Sequence, residues 1–133
     1  MIKLYNKLAP QLLIIFIVLF SSFLLYLPFL LRASDWLGLS IFESNMQYIY
    51  RNYDGPLYII AAKSFYDPAA IKATGLELPL APEYFAAHLP LYPFFIRLLG
   101  PFMGYLKAMV SVNLIFTVFL GLFFYYMLKR LKL

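Results

Sequence analysis

The sequence predicts an all-α membrane protein in which two transmembrane helices are joined by a large external loop carrying short amphipathic interfacial helices. Three observations predict it. The chain of 133 residues is 64% hydrophobic, 20% aromatic and only 13% charged, far from the balance of soluble domains. Two windows are free of charge, 24 residues from Leu8 to Leu31 and 21 residues between Lys107 and Lys129, and each is long enough as a helix to cross a hydrocarbon core of roughly 30 Å. Lipid offers no partner to backbone N–H and C=O groups, so helical form is close to obligatory there.

Residues 1–11 precede the first span, which the pattern places at 12–31. Pro10 suits a first helical turn, and Pro28 would kink or end the helix. A cleaved secretory signal is disfavoured, because the run exceeds the usual apolar stretch of roughly 7–15 residues and Leu31, two before Ala33, breaks the small-x-small cleavage pattern. The loop covers 32–107, the second span 108–128 and a short tail 129–133.

Charge placement sets the orientation. Lys3 and Lys7 lie before the first span and Lys129, Arg130 and Lys132 after the second, whereas all six acids fall between Arg32 and Lys107 beside six bases. By the positive-inside rule the chain is an integral, multi-pass protein of the cell membrane with both termini cytoplasmic and the loop extracytoplasmic. Topology therefore accounts for the net charge of +5, and no basic face with interleaved readout residues points to nucleic acid. With no cysteine, the chain offers neither disulfides nor thiolate chemistry.

Within the loop, "RASDWLGLSIFES" suggests a short interfacial element capped by Ser34 or Asp35, with Trp36 in the headgroup zone. Asp54-Gly55-Pro56 reads as a cap, a flexible residue and a proline opening a helix, followed by Leu57, Ile60, Ala61 and Phe65 at helical spacing. This places an amphipathic helix at about 56–66. Asp67-Pro68 ends it, and the following stretch, with its prolines and glycine, reads as an irregular loop. A second interfacial helix is expected at about 91–100, too interrupted by Pro93, Arg97 and Pro101 to span. A connection of 76 residues far exceeds the 12–15 or so that structureless loops usually reach, which makes it a candidate site.

Asp54 is the sharpest candidate. It reads as a helix cap or as a catalytic carboxylate at a membrane surface, partly removed from water beside Tyr53 and Tyr58, and the two readings are compatible. Arg51 is suited to pair with it or to bind a phosphate, and Tyr58 to stack on a sugar. Arg97 and Lys107 suit an anionic headgroup or a lipid-linked phosphate, with snorkelling anchors as the plainer reading. His88 is the only histidine. Glu83 and His88, five apart, do not make a helical metal pair, so no metal site and no cofactor are predicted and spacing gives a divalent metal no support.

"YRNYDGPLYIIAA" after a first span and "HLPLYPFFIRLLG" leading into a second resemble the N-terminal part of GT-C superfamily membrane glycosyltransferases, most closely the PIG-V type of GPI mannosyltransferases. Those enzymes carry an aromatic-Asp-x-x-x-Tyr segment in their first large external loop, here Tyr53, Asp54 and Tyr58, and a later Pro-Leu-Tyr-Pro segment, here Pro90 to Pro93. The resemblance covers residues 10–128 and implies transfer of a sugar from a polyprenyl-phosphate donor on the outer face. It gives Asp54 the part of a general base or orienting group for the acceptor hydroxyl, and sets His88 near the donor phosphate, with Arg97 a weaker candidate. Two departures stand out: the tryptophan common before the family's aspartate is Tyr53 here, and two spans fall short of the family's roughly eight or more. Two helices do not enclose a lipid-linked donor and an acceptor. The expectation is an N-terminal fragment, or a subunit needing the remaining transmembrane helices of the enzyme or a partner, inactive alone. The competing expectation is a non-catalytic two-span protein whose loop binds a partner or lipid.

Overall fold

The structure, a computed structural model, describes residues 2–41, 43–76, 78, 81–87 and 89–132, and the side chains of 2–7 and 86 are outside the description. The described residues are mostly helical, and two of their helices are long and apolar enough to cross a membrane. The chain divides into two compact units, 1–46 with 113–133, and 47–112.

In the first unit, α1 runs over Ile2–Leu31 and α6, Tyr105–Leu131, contributes its part from Asn113 onward. The helix α1 begins well before the expected 12 and passes through both Pro10 and Pro28. It ends three residues beyond Pro28, where Arg32 turns left-handed at φ 53° and the Ala33 N–H donates back to the Pro28 carbonyl at 2.9 Å. That is the bond pattern of a helix closed by a left-handed residue. Only 6% of the apolar window of α1 is buried, which sets it apart from the core helix of a soluble protein. Side chains such as Leu25 and Leu120 stand 73% and 67% exposed, at a cost in water of the order of 1 kcal/mol or more each that lipid removes. Ser21 and Thr117 donate their hydroxyls to the Ile17 and Asn113 carbonyls, both at 2.8 Å, so their polarity is met within the helix. The two helices run antiparallel. The Gln11 side chain donates to the Tyr126 hydroxyl at 3.2 Å, and a Cβ on Gly121 would come within 3.1 Å of Ile14 Cγ2.

Where a capped helical element was expected after the first span, a β-hairpin forms instead. Strands β1 (Asp35–Trp36) and β2 (Leu39–Ser40) pair antiparallel with Asp35 opposite Ser40. Leu37 and Gly38 both take positive φ, as a tight two-residue turn requires.

The second unit is built around a short central helix. Its elements are α2 (Met46–Arg51, from Gln47 onward), α3 (Gly55–Ser64), α4 (Pro68–Lys72), a 3-10 helix (Pro82–Ala87), α5 (Leu91–Met103) and the start of α6. The helices α3 and α5 fall close to the expected 56–66 and 91–100. In contrast, α2, α4 and the 3-10 helix occupy stretches without a predicted element. The helix α3 buries Ile60, Ala61 and Ala62, more than one face, between two clusters. Ala62 joins Ile96, Ala108, Met109 and Val112, while Ile60 and Ala61 join Ile71 and Phe85. The expected single apolar stripe is thus replaced by a helix clothed in protein, and Phe65, assigned to that stripe, is exposed. The helix α5 turns Pro93, Ile96 and Gly100 inward. A Cβ on Gly100 would lie 2.9 Å from the Tyr105 ring, so a side chain there would displace the residue that opens α6.

Candidate functional site

Asp54 stands at the N-terminus of α3. Its carbonyl accepts from the Tyr58 N–H at 3.0 Å, starting the helix, but its side chain makes no capping hydrogen bond. The backbone explains this: at φ −82° and ψ 5° Asp54 lies outside the extended region from which a side chain reaches back over the first turn. The conformation is held by the next residue. A Cβ on Gly55 would lie 2.7 Å from the Tyr50 carbonyl and 3.3 Å from Met109 Cε, so only glycine permits α3 to approach α2 and α6 this closely. Asp54 and Tyr53 are both exposed, against the expectation of a carboxylate partly removed from water.

Thirteen residues on, the same chemistry is used differently. Asp67 precedes Pro68 directly, takes the extended conformation at φ −68° and ψ 113°, and accepts from the Ala69 N–H at 2.9 Å. It is the cap of α4.

The other expected site residues are dispersed. Tyr58 packs edge-on against Tyr92 with ring centroids 5.0 Å apart, and the Tyr92 hydroxyl donates to the Met109 carbonyl at 3.0 Å. This half-buried pair belongs to the unit's core. Arg97 donates from one Nη to the Ala62 and Lys63 carbonyls at 3.1 and 2.9 Å, and its guanidinium lies 5.4 Å from the Phe65 ring centroid. It therefore closes the C-terminus of α3, where a cation also meets the negative end of the helix dipole. The Arg97-bound carbonyls belong to Ala62 and Lys63, so along the helix they lie about 12–14 Å from Asp54. His88 lies outside the described residues. Lys107 is exposed.

Arg51 belongs to something the sequence did not reveal, a cavity of about 540 Å³ in the second unit. Gln47, Tyr50 and Arg51 of α2 line it with Pro56, Ile59, Ile60 and Lys63 of α3, and Ala70, Thr74, Leu76 and Leu106 complete the wall. Ser64 also contributes, but its hydroxyl donates to the Ile60 carbonyl at 2.9 Å and accepts from the Tyr66 N–H. The Thr74 hydroxyl is similarly engaged with the Ile71 carbonyl at 2.8 Å. Lys63 holds its ammonium 5.2 Å from the Tyr105 ring centroid, a contact that steadies the charge without neutralising it. The wall is thus largely apolar with two cations, and no carboxylate is among its described residues. Asp54, Tyr58 and Arg97 do not line it.

Phe65 and Tyr66, in the turn between α3 and α4, both adopt positive φ, 52° and 70°. The Tyr66 hydroxyl donates to the Leu89 carbonyl at 3.4 Å, and burial, then neighbouring Tyr58, push its phenol above the ordinary tyrosine value. No group of histidines, cysteines and carboxylates suited to holding a metal occurs among the described residues. No family model, no curated protein and no solved structure matches the chain.

Proposed function

We propose that the chain supplies two spanning helices and the acidic extracytoplasmic segment of a GT-C type, mannosyltransferase-like membrane enzyme, which works with further transmembrane helices and draws its sugar from a polyprenyl-phosphate donor. The observation that carries this reading is the uncapped Asp54. A carboxylate at a helix N-terminus normally has capping as its plain explanation, and here the side chain is not used that way. It remains available to an acceptor hydroxyl.

In the reaction so read, Asp54 takes the proton of that hydroxyl while its oxygen attacks the anomeric carbon. The carbon–oxygen bond to the polyprenyl phosphate breaks with both electrons, and the lipid phosphate leaves. Support for a setting at the membrane surface comes from α5, whose Leu91, Phe94, Leu98 and Phe102 are exposed along one face just before α6. The residues expected around the donor are divided between roles: Arg97 serves the end of α3 and Tyr58 the core, and Arg51 and Lys107 stand as the candidate cations for phosphate.

Transfer of labelled mannose from polyprenyl-phosphate mannose, in membranes carrying this chain with its partner helices, tests the reading. Asp54→Asn is expected to lower transfer by about 10²–10⁴-fold at unchanged protein level. The cation-bearing cavity favours a second reading, a two-span protein that binds a lipid without transferring sugar, and under it Asp54→Asn changes nothing.

A further inference from the structure

We infer that α6 pairs with the α6 of a second copy of this chain, through Asn113 and the line of side chains that follows it, Phe116, Leu120, Phe123 and Met127. Asn113 is the sixth of the 21 residues in the charge-free run between Lys107 and Lys129. That sets it about 8 Å along the helix from the N-terminal end of the run, and in a bilayer below the headgroups. Its side chain is exposed and meets no hydrogen-bond partner among the described residues, since the bond from the Thr117 hydroxyl goes to its backbone carbonyl. Elsewhere in the same unit Gln11, Ser21 and Thr117 all find partners. A side-chain amide brings two donors and an acceptor, and hydrocarbon satisfies none of them. It is too short to reach the interface as the long stem of a lysine does. Another membrane-embedded chain has to meet it.

Position and spacing identify that chain. From Asn113 the exposed residues Phe116, Leu120, Phe123 and Met127 recur three and four apart, the a and d spacing of a helix pair. This line lies about a third of a turn around the helix from Gly121, whose face meets Ile14 of α1, so the contact between the two long helices does not cover it. Lipid is as apolar as Leu120 or Phe123, so those side chains supply fit and the amide supplies the preference for protein over lipid. An asparagine both donates and accepts, which makes it complementary to itself, and at a single a position it fixes the register of a parallel pair. Two copies of one chain insert in the same sense, and a two-fold axis along the membrane normal then sets both Asn113 side chains at one depth. A helix of a different chain would need a polar group of its own at that depth, a requirement that a second copy meets by symmetry. The pairing does not rest on sugar transfer, because this face of α6 carries none of the residues proposed for the reaction.

The full chain, which has no cysteine of its own, would be labelled with donor or acceptor dye at a single Lys132→Cys and reconstituted in phosphatidylcholine vesicles over a range of chain-to-lipid ratios. Energy transfer between copies then reads self-association. A dimer is expected, which Asn113→Leu weakens by about tenfold, the scale of one interhelical hydrogen bond, and which Asn113→Gln retains because it keeps the amide. Leucine suits a spanning helix at least as well as asparagine, so the loss is one of pairing rather than of the span. In a second pair of single-cysteine chains, iodine oxidation is expected to link copies carrying Leu120→Cys and not copies carrying Ile115→Cys, a position also exposed but on the other side of the helix. A wild-type chain that stays monomeric at every ratio would overturn the inference and leave this face to a helix of another protein. Equal association of wild type and Asn113→Leu would overturn it too, as would equal cross-linking at the two positions. None of these results touches the sugar-transfer reading, which stands or falls on the activity of Asp54→Asn.

Discussion

Tyr53-Asp54-Gly55-Pro56 and Tyr66-Asp67-Pro68 differ by one inserted glycine, and that glycine separates an uncapped carboxylate from a capping one. Proline restricts the residue immediately before it to extended backbone. Asp67 obeys and its side chain folds over the first turn of α4. Asp54 is shielded from that restriction by Gly55 and settles near φ −82°, ψ 5°, where its side chain does not cap. The difference teaches that a cap signal in sequence is a statement about the residue types, whereas capping itself depends on a backbone angle set by what packs behind it.

Removing the cause of the difference should have the largest effect on stability. Gly55→Ala drives a Cβ against the Tyr50 carbonyl, a backbone atom unable to swing aside, and is expected to cost about 1–3 kcal/mol, read as a lower midpoint of thermal unfolding in detergent. An unchanged midpoint would mean that α3 does not approach α2 so closely. The next largest effect sharpens the contrast directly: Asp67→Ala should cost about 1 kcal/mol, the usual loss for a helix cap, while Asp54→Ala should cost no more than a few tenths. Equal losses measured in parallel melts would erase the distinction.

The smallest effect concerns the turn that leads into Asp67. The folded chain holds the Tyr66 phenol above its ordinary value, so the neutral phenol is favoured when folded. Its contribution is complete below pH about 10 and is lost as pH rises through the folded value. Spectroscopic titration should show the Tyr66 phenol ionising above the ordinary tyrosine range, and Tyr66→Phe should remove that component.

The two long apolar helices were legible because charge-free runs of 24 and 21 residues carry their message in composition alone. The helices α3 and α5 were legible from proline placement and spacing. The hairpin at Asp35–Ser40 was not, since Leu37-Gly38 lacks the Asn-Gly or Asp-Gly signal that usually marks so tight a turn. Six residues of α2 are too few to establish a helical period. Pro68 was read as the end of one helix, although the same residue opens α4. Asp54 could be singled out from its neighbours, but its uncapped state depends on the Tyr50 carbonyl behind Gly55. The cavity that gathers Arg51 and Lys63 is closed by Leu76 and Leu106, residues far apart in the chain, and no local pattern announces it.

The most direct test compares wild type, Asp54→Asn and Asp67→Asn for mannose transfer from polyprenyl-phosphate mannose, in membranes that also carry the partner helices, with protein levels matched. Asparagine caps nearly as well as aspartate, so neither substitution should disturb a helix by that route. The account predicts that transfer falls by about 10²–10⁴-fold for Asp54→Asn alone. Equal transfer by all three chains would contradict it.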